Sequence, residues 1–399
     1  MSRRRGGAAL GRELSGAVAD LGVLVPIAVA LIVTNGLSPT AVLLPAGLLY
    51  VVVSAVYRLP IAVQPLKAVG AIAIAQGLGS DEIAAAALLM GATFVVLGAT
   101  GLIDVAGRAF PRALIRGVQL TVGLLFLKVS WGLVADPPAA FSESALDASW
   151  AIPLGAAVVL VAFLLRSRPI ALALVAGGLV VMVLESGGVS TLGPSSVALP
   201  TLSSATFAAA FVALVIPQLP LTFANSCLAP ADAARTYFRE GARRVTPGRL
   251  ATTLGSANLF SGVIAGMPVC HGAGGLTAHY AFGARTWRAP AAMGAGLLAT
   301  AVLFGASLAS LLTAFPLPIL AGLLATAGLL HIGLLRDLRG IREWSIALLV
   351  GGIGFQWNLA VGLLVGLVVW WGPELLRRVG SAPWSSKSVL RSRRQGARP

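Results

Sequence analysis

Long runs of apolar residues, separated by short polar or charged stretches, fill the chain from Leu14 to Trp371. Most runs are about 17 to 25 residues long, the length of helix that crosses a bilayer core. In the first half they cover residues 13–33, 40–57, 60–77, 82–106, 112–134, 150–166 and 169–185. In the second half they cover residues 205–226, 250–265, 267–284, 289–313, 316–334, 342–356 and 357–376. The pattern predicts an all-α polytopic membrane protein with about 14 transmembrane segments.

The two halves have the same number of segments, and that number is odd. The second half must therefore cross the membrane in the opposite sense, which is a 7+7 inverted repeat. We assign residues 13–185 to the first repeat, 186–204 to an extracytoplasmic loop and 205–376 to the second repeat. A sequence echo supports the assignment. Segments five and twelve begin at Phe-Pro pairs, and the residues that then match are Gly117, Thr121, Gly123, Leu124 and Leu125 with Gly322, Thr326, Gly328, Leu329 and Leu330.

Segments 3 and 10 are interrupted. Residues 59–65 read Leu-Pro-Ile-Ala-Val-Gln-Pro, and residues 266–275 read Gly-Met-Pro-Val-Cys-His-Gly-Ala-Gly-Gly. Proline and β-branched residues favour extended backbone, and proline is well tolerated in the first turn of a helix. Each segment is thus predicted to be a short strand followed by a half-helix. Such paired interruptions mark the transport site of many secondary transporters.

Composition excludes a soluble fold. Of 399 residues, 57% are hydrophobic and 11% are charged, whereas about a quarter are charged in a typical soluble domain. The net charge of +15 comes from basic clusters between apolar segments, which disfavours nucleic-acid binding. The loops 77–82, 136–149 and 186–204 contain no Lys or Arg. Since basic loops stay in the cytoplasm, we expect residues 1–12 and 377–399 to be cytoplasmic basic tails of a multi-pass protein of the cell inner membrane.

The residues at the interruptions suit an anion. A helix N-terminus presents unpaired N–H groups and a partial positive charge. Lys67 adds a full positive charge in the first turn of the first half-helix. Glycines without Cβ atoms let backbone donors approach a compact ligand. The candidate substrate-binding residues are Gln64, Lys67, His271, Gly272, Gly274, Gly275, Gln218 and Asn225. Together they predict a site for a small tetrahedral oxyanion.

Each candidate also has a structural interpretation. Lys67 could extend to the membrane interface, Gln64 could cap a helix, His271 could be a buried structural histidine, and the glycines could serve helix packing. Asp20 is the candidate for coupling or an ion pair. It could pair with Lys67, carry a proton or line a watery vestibule, and the sequence leaves these open.

Several other polar residues are interpreted as packing or interface residues, outside the site: Lys128, Gln119, His331, Gln356 and Asn358. The two cysteines, Cys227 and Cys270, have neither a disulfide nor a zinc spacing. No metal or other cofactor is expected. An enzyme with Cys270 and His271 as nucleophile and base is disfavoured, because adjacent residues in an extended segment point to opposite sides.

Three segments carry a family resemblance. The stretches Glu13-Leu-Ser-Gly-Ala-Val-Ala-Asp-Leu-Gly, Arg58-Leu-Pro-Ile-Ala-Val-Gln-Pro-Leu-Lys-Ala and Pro268-Val-Cys-His-Gly-Ala-Gly-Gly-Leu, the last followed by Phe282-Gly-Ala-Arg, resemble signature segments of the molybdate-transporter family. This family is related to the sulfate permeases and has a uracil-permease-like fold. Unlike typical sulfate permeases, the chain is expected to have no soluble regulatory domain after its last predicted span.

The resemblance implies uptake of molybdate by alternating access, with sulfate or tungstate as possible substrates. It also implies a core of segments 1–4 and 8–11, a gate of segments 5–7 and 12–14, and a homodimer formed through the gate. A nucleobase permease of the same fold is the main alternative. Those permeases place a carboxylate on the eighth segment, where this chain has Gln218 and Asn225. An anion channel on this scaffold is the second alternative.

Overall fold

The computed structural model describes residues 11, 13–14, 16–18, 21–103, 105, 110–137, 141, 145–165, 170–281, 283–357 and 359–380. Asp20 and most of the two basic tails lie outside these residues. The described part of the chain is mostly helical.

The first half contains seven helices and one short strand in the described residues. They are α1 (Leu21–Val33), α2 (Pro39–Tyr57), β1 (Gln64–Pro65), α3 (Lys67–Gln76), α4 (Ser80–Thr100), α5 (Arg112–Ala135), α6 (Ala148–Leu164) and α7 (Ile170–Glu185). The helix α3 is a half-helix of 10 residues. It ends at Gly77, whose φ of 62° is a left-handed conformation that glycine adopts without strain.

The second half repeats this order. Its elements are α8 (Ser204–Arg244), α9 (Pro247–Val263), β2 (Val269–Cys270), α10 (Ala273–Ala281), α11 (Arg288–Thr313), α12 (Leu317–Ile332), α13 (Gly340–Gln356) and α14 (Leu359–Gly380). The half-helix α10 has 9 residues and again follows a strand directly. A 3₁₀ turn, Gly333–Asp337, continues from α12.

Six of the described helical stretches are long and apolar enough to cross a membrane: α2, α4, α5, α8, α11 and α12, the last with its 3₁₀ turn. Shorter apolar helices lie at Val23–Val33, Lys67–Gln76, Ala148–Leu164, Ala173–Glu185 and Val361–Pro373. The prediction of a helical, multi-pass membrane protein is confirmed.

The eighth helix is longer than predicted. The apolar run stops near Ser226, but helix continues through Ala229–Phe238 and then through a 3₁₀ turn to Arg244. A fall in hydropathy marks the end of the apolar part of a helix, not the end of the helix itself. The alanine-rich sequence that follows the apolar part still favours helix. Two π-helical segments, Phe211–Val215 and Thr222–Leu228, flank the stretch that contains two prolines. Proline removes a helical hydrogen bond, and such π segments absorb the disturbance.

Close helix pairs build the interior. The helix α2 packs against α11, and α4 packs against α9. The helix α5 packs against α12 and α13, and α12 also packs against α6. Glycines let the backbones touch. A methyl group on Gly91 would lie 2.9 Å from the carbonyl oxygen of Gly255, and one on Gly294 would lie 2.9 Å from that of Gly47. Small residues at such contacts are typical of helix packing in membranes.

Candidate functional site

The two strands pair with each other at the centre of the candidate site. They run antiparallel, with Gln64 opposite Cys270 and Pro65 opposite Val269. The N–H of Leu66 also donates to the carbonyl oxygen of Pro268 at 2.9 Å. Each strand passes into a half-helix within three residues, so α3 and α10 both begin beside the strand pair. Two helix N-termini, with their unpaired donors, therefore meet at one place.

Asn258 of α9 completes the hydrogen bonding of β2. Its Nδ2 donates to the carbonyl oxygen of Val269 at 2.8 Å, and its Oδ1 accepts from the N–H of Val269 at 2.8 Å. The Asn258 side-chain amide thus makes the two hydrogen bonds that a neighbouring strand would make with Val269. Sequence reasoning missed this residue, although a single amide in an apolar helix is a signal, because buried polar groups require partners.

Lys67 is buried at the N-terminus of α3, with 2% of its surface exposed. Its Nζ donates to Oε1 of Gln64 at 2.5 Å. The ion pairs of the described residues join Arg116 to Asp337 and Arg243 to Glu240, so none of them neutralises Lys67. A buried cation needs a counter-charge. An anion bound here would supply that counter-charge. Asp20, the carboxylate suggested as its partner, lies outside the described residues.

Gln218 reaches the same helix terminus from α8. Its Oε1 accepts from the N–H groups of Ala68 and Val69 at 2.9 and 3.2 Å, and its Nε2 donates to Oγ1 of Thr222 at 2.9 Å. The side chain is 1% exposed. A neutral amide oxygen thus caps two donors of α3, in the position where an oxyanion would be attracted.

The glycines at the start of α10 differ in their surroundings. A methyl group on Gly272 would lie 1.9 Å from Oε1 of Gln64, so the Gln64 side chain lies directly against this glycine. Gly274 is exposed, with open space where a Cβ would point. Gly275 is buried. Among the described contacts, no side chain accepts a hydrogen bond from the first turn of α10. The structure thus brings Gln64, Lys67, Gln218 and Gly272 together.

His271 faces the scaffold. Its Nε2 lies 2.9 Å from Oγ1 of Thr253, and its Nδ1 lies 3.4 Å from the carbonyl oxygen of Ala62. The Thr253 hydroxyl in turn lies 2.7 Å from the Tyr57 hydroxyl. The histidine therefore ties β2 to α2 and α9. Asn225 is 8% exposed, and no described hydrogen bond joins it to either half-helix.

Cys270 and His271 do not form the nucleophile–base pair that an enzyme would need. The Cys270 thiol donates to the carbonyl oxygen of Pro65 at 3.4 Å, while the adjacent His271 ring engages Thr253. Within the described residues, no group of three or more His, Cys, Asp or Glu side chains could hold a metal ion. What the arrangement does provide is a buried cation and a capped helix terminus.

The fold and the paired half-helices define a multi-pass membrane transporter rather than an enzyme. A family model described as "Molybdate transporter of MFS superfamily" matches residues 12–126 and 210–330. The chain belongs to this family of anion transporters.

Curated relatives share this assignment over nearly their whole length. Molybdate transporter 1 of Arabidopsis thaliana is 28% identical over 94% of this chain and 90% of its own. Molybdate transporter 2 of the same plant is 28% identical over 90% and 87%. Molybdate transporter 1 of Chlamydomonas reinhardtii is 29% identical over 89% and 90%.

Two solved structures share the fold. The transmembrane domain of the cyanobacterial bicarbonate transporter BicA superposes with a TM-score of 0.62 at 17% identity, over 90% of this chain and 97% of that one. SLC26A9 superposes with a TM-score of 0.63 at 14% identity, over 91% of this chain and 65% of that one. The fold is therefore that of SLC26-like transporters.

Proposed function

We propose that the protein takes up a small tetrahedral oxyanion, molybdate in the first instance, by alternating access. The anion binds between the N-termini of α3 and α10. The observation that carries this proposal is the strand pair, which fixes both helix starts beside the buried Lys67. Molybdate is the substrate in the names of the three curated relatives. Sulfate and tungstate have the same shape and charge.

Charge and donor geometry support an oxyanion. The Lys67 ammonium can donate three hydrogen bonds, and Gln64 uses its carbonyl oxygen on one of them. The N–H groups of Ala68 and Val69 bind an amide oxygen that an anion can replace. Charge-assisted hydrogen bonds are about twice as strong as neutral ones. An oxyanion oxygen is thus a better acceptor for these donors than the Gln218 amide.

The pattern of helix contacts supports the 7+7 inverted repeat. In such a repeat each helix of the first half corresponds to the helix seven places later. The α4–α9 pair then corresponds to the α11–α2 pair, and the α5–α13 pair corresponds to the α12–α6 pair. All four of these contacts exist. Two glycines that match in sequence behave alike. Gly117 lies against Val350 of α13, and Gly322 lies against Val158 of α6.

The same contacts support two moving parts. The pairs α2–α11 and α4–α9 hold together segments 1–4 and 8–11, and the contacts of α5 and α12 hold together the remaining segments. We assign these groups to the core and the gate, with a homodimer through the gate and both termini in the cytoplasm. Asp20 remains our candidate for coupling or an ion pair. Uptake by Asp20→Asn that no longer responds to a proton gradient would support proton coupling, and loss of uptake with or without the gradient would support the ion pair with Lys67.

Uptake by the purified protein in liposomes tests the site. Labelled molybdate is followed with sulfate, tungstate or uracil as competitor, for the wild type, Lys67→Met and Lys67→Arg. We expect saturable uptake that uracil leaves unchanged. Lys67→Met should abolish uptake, because it keeps much of the side-chain volume and removes the charge, and Lys67→Arg should retain part of it. Inhibition by uracil would move the assignment to the nucleobase permeases.

Flux kinetics separate a transporter from a channel. An alternating-access carrier takes up labelled anion faster into vesicles that are preloaded with unlabelled anion than into empty vesicles. A channel shows no such acceleration and conducts without saturation at moderate concentrations. We expect trans-acceleration. Unsaturated conduction that Lys67→Met leaves intact would place the anion path elsewhere.

A further inference from the structure

A predominantly polar cavity of about 210 Å³ lies beside the half-helix α3. Its polar lining includes Gln76 at the end of α3, Lys128 of α5 and Gln356 at the end of α13. The sequence interpretation treats Lys128 and Gln356 as packing or interface residues. In the structure both residues line one cavity, and both are exposed.

The charge of this cavity is positive. Its described lining contains Lys128 and no Asp or Glu. Neither of the ion pairs formed by the described residues includes Lys128. Two amide side chains, Gln76 and Gln356, supply hydrogen-bond donors around it. A cation flanked by neutral donors suits a small oxyanion better than a cation or an apolar ligand.

The cavity lies next to two elements of the proposed site. It is also lined by Ile72 of α3 and Pro217 of α8. Pro217 is next in sequence to Gln218, the residue that caps α3. At 1.5 Å per residue, Ile72 lies about 8 Å along α3 from Lys67. The part of α3 that lines the cavity thus starts about 8 Å from Lys67 and reaches the C-terminal end of the half-helix.

The lining comes from both proposed moving parts. The helices α3 and α8 belong to the core, and α5 and α13 belong to the gate. The cavity therefore lies where the core meets the gate. Here α3 packs against α5, whereas on the opposite half-helix the described residues of α10 make no comparable contact with α12. The loop after α3 and the first residues of α4, together residues 77–82, contain no Lys or Arg, so the cavity faces the extracytoplasmic side in the proposed orientation.

We propose that this cavity is a second anion site, an outer site in which Lys128 holds the oxyanion before it reaches the N-terminus of α3. The proposal rests on the proposed function. Lys128 raises the local concentration of the anion at the mouth of the transport path, because a fixed positive charge attracts anions into a cleft. Movement of the core against the gate would then transfer the anion past Gln218.

A cysteine at position 128 allows the charge to be removed and put back. The two native cysteines, Cys227 and Cys270, are both buried, so a thiol at this exposed position is the accessible one. Molybdate uptake is measured for the wild type and Lys128→Cys in liposomes, before and after external treatment. One reagent, 2-aminoethyl methanethiosulfonate, attaches an ammonium group, and 2-sulfonatoethyl methanethiosulfonate attaches a sulfonate. Trp131→Cys is the matched control, because Trp131 is on the same helix, 61% exposed and not among the lining residues.

We expect Lys128→Cys to raise the KM for molybdate by about three- to tenfold, with the maximal rate unchanged. The ammonium reagent should restore the KM, the sulfonate reagent should raise it further, and Trp131→Cys should respond to neither. An unchanged KM in Lys128→Cys, or equal effects of the two reagents, overturns the outer site alone. Absence of uptake by the wild type overturns the proposed function, and the outer site with it.

Discussion

Gly123 of α5 and Gly328 of α12 lie face to face, each against the carbonyl oxygen of the other. A methyl group on Gly123 would lie 2.8 Å from the oxygen of Gly328, and one on Gly328 would lie 2.8 Å from that of Gly123. The contact is reciprocal, which is what the proposed inverted repeat predicts for matching residues near its pseudo-two-fold axis. These are also two of the residues that match between the Phe-Pro segments of the sequence. The absence of side chains here allows the two helices to cross in direct backbone contact.

Alanine at either of these positions should destabilise the protein to a similar extent. The added methyl group would meet a backbone oxygen that cannot rotate away, and overpacking of this kind costs about 1–3 kcal/mol. We expect Gly123→Ala and Gly328→Ala each to lower the melting temperature in detergent. Gly132→Ala is the control, because Gly132 is on α5 and has open space around it. Unequal effects of the two substitutions would argue against a symmetric contact.

Two neighbouring glycines should respond differently to alanine. A methyl group on Gly272 would overlap Oε1 of Gln64 at 1.9 Å, whereas one on Gly274 meets nothing within 4 Å. Gly272→Ala should displace the Gln64 side chain and break its bond to Lys67. We expect Gly272→Ala to reduce the rate of molybdate uptake at least tenfold, which corresponds to an increase of about 1.4 kcal/mol or more in the activation free energy. Gly274→Ala should retain uptake, and loss of uptake in both variants would mean that the glycines serve the anion directly.

Asn258 should prove a structural requirement for the site. Asn258→Leu removes both partners of the Val269 backbone, and each buried orphan group costs about 1–3 kcal/mol. The expected result is a lower melting temperature and little folded protein after purification. Ser256→Leu serves as the control, since Ser256 is an exposed polar residue of the same helix. Normal stability of Asn258→Leu would show that the strand pair does not depend on this amide.

The local pattern of the sequence predicted much of the fold. The segment predicted at 40–57 is α2, Pro39–Tyr57, and the segment predicted at 289–313 is α11, Arg288–Thr313. Apolar length and helix-breaking residues are local properties, so the sequence reports them directly. The helix α8 extends beyond its apolar segment, because its final turns are helical but not apolar.

Long-range contacts were beyond the sequence pattern. The cap of α3 by Gln218 joins residues 150 positions apart. Likewise, nothing in the spacing indicates that His271 would turn toward Thr253 of α9 and leave Gln64 beside Gly272. Residue type narrowed the candidates, since a buried amide or lysine needs a partner, but the identity of that partner depends on helix packing.

Gln218 gives the most direct test of how the anion binds. Its Oε1 accepts hydrogen bonds from the N–H groups of Ala68 and Val69. In Gln218→Ala those two buried donors lose their acceptor, so the empty protein should be less stable by about 1–3 kcal/mol. A bound oxyanion can satisfy the same donors. Molybdate should therefore raise the melting temperature of Gln218→Ala more than it raises that of the wild type.

Gln218→Glu reverses this expectation. The carboxylate oxygens would accept the same hydrogen bonds and add a negative charge at the N-terminus of α3, close to Lys67. The substituted side chain then acts as a tethered competitor for the anion. We expect Gln218→Glu to melt at or above the wild-type temperature, to show no further stabilisation by molybdate and to take up no labelled anion. If Gln218→Glu binds molybdate as the wild type does, the anion does not bind at the N-terminus of α3, and the cap is purely structural.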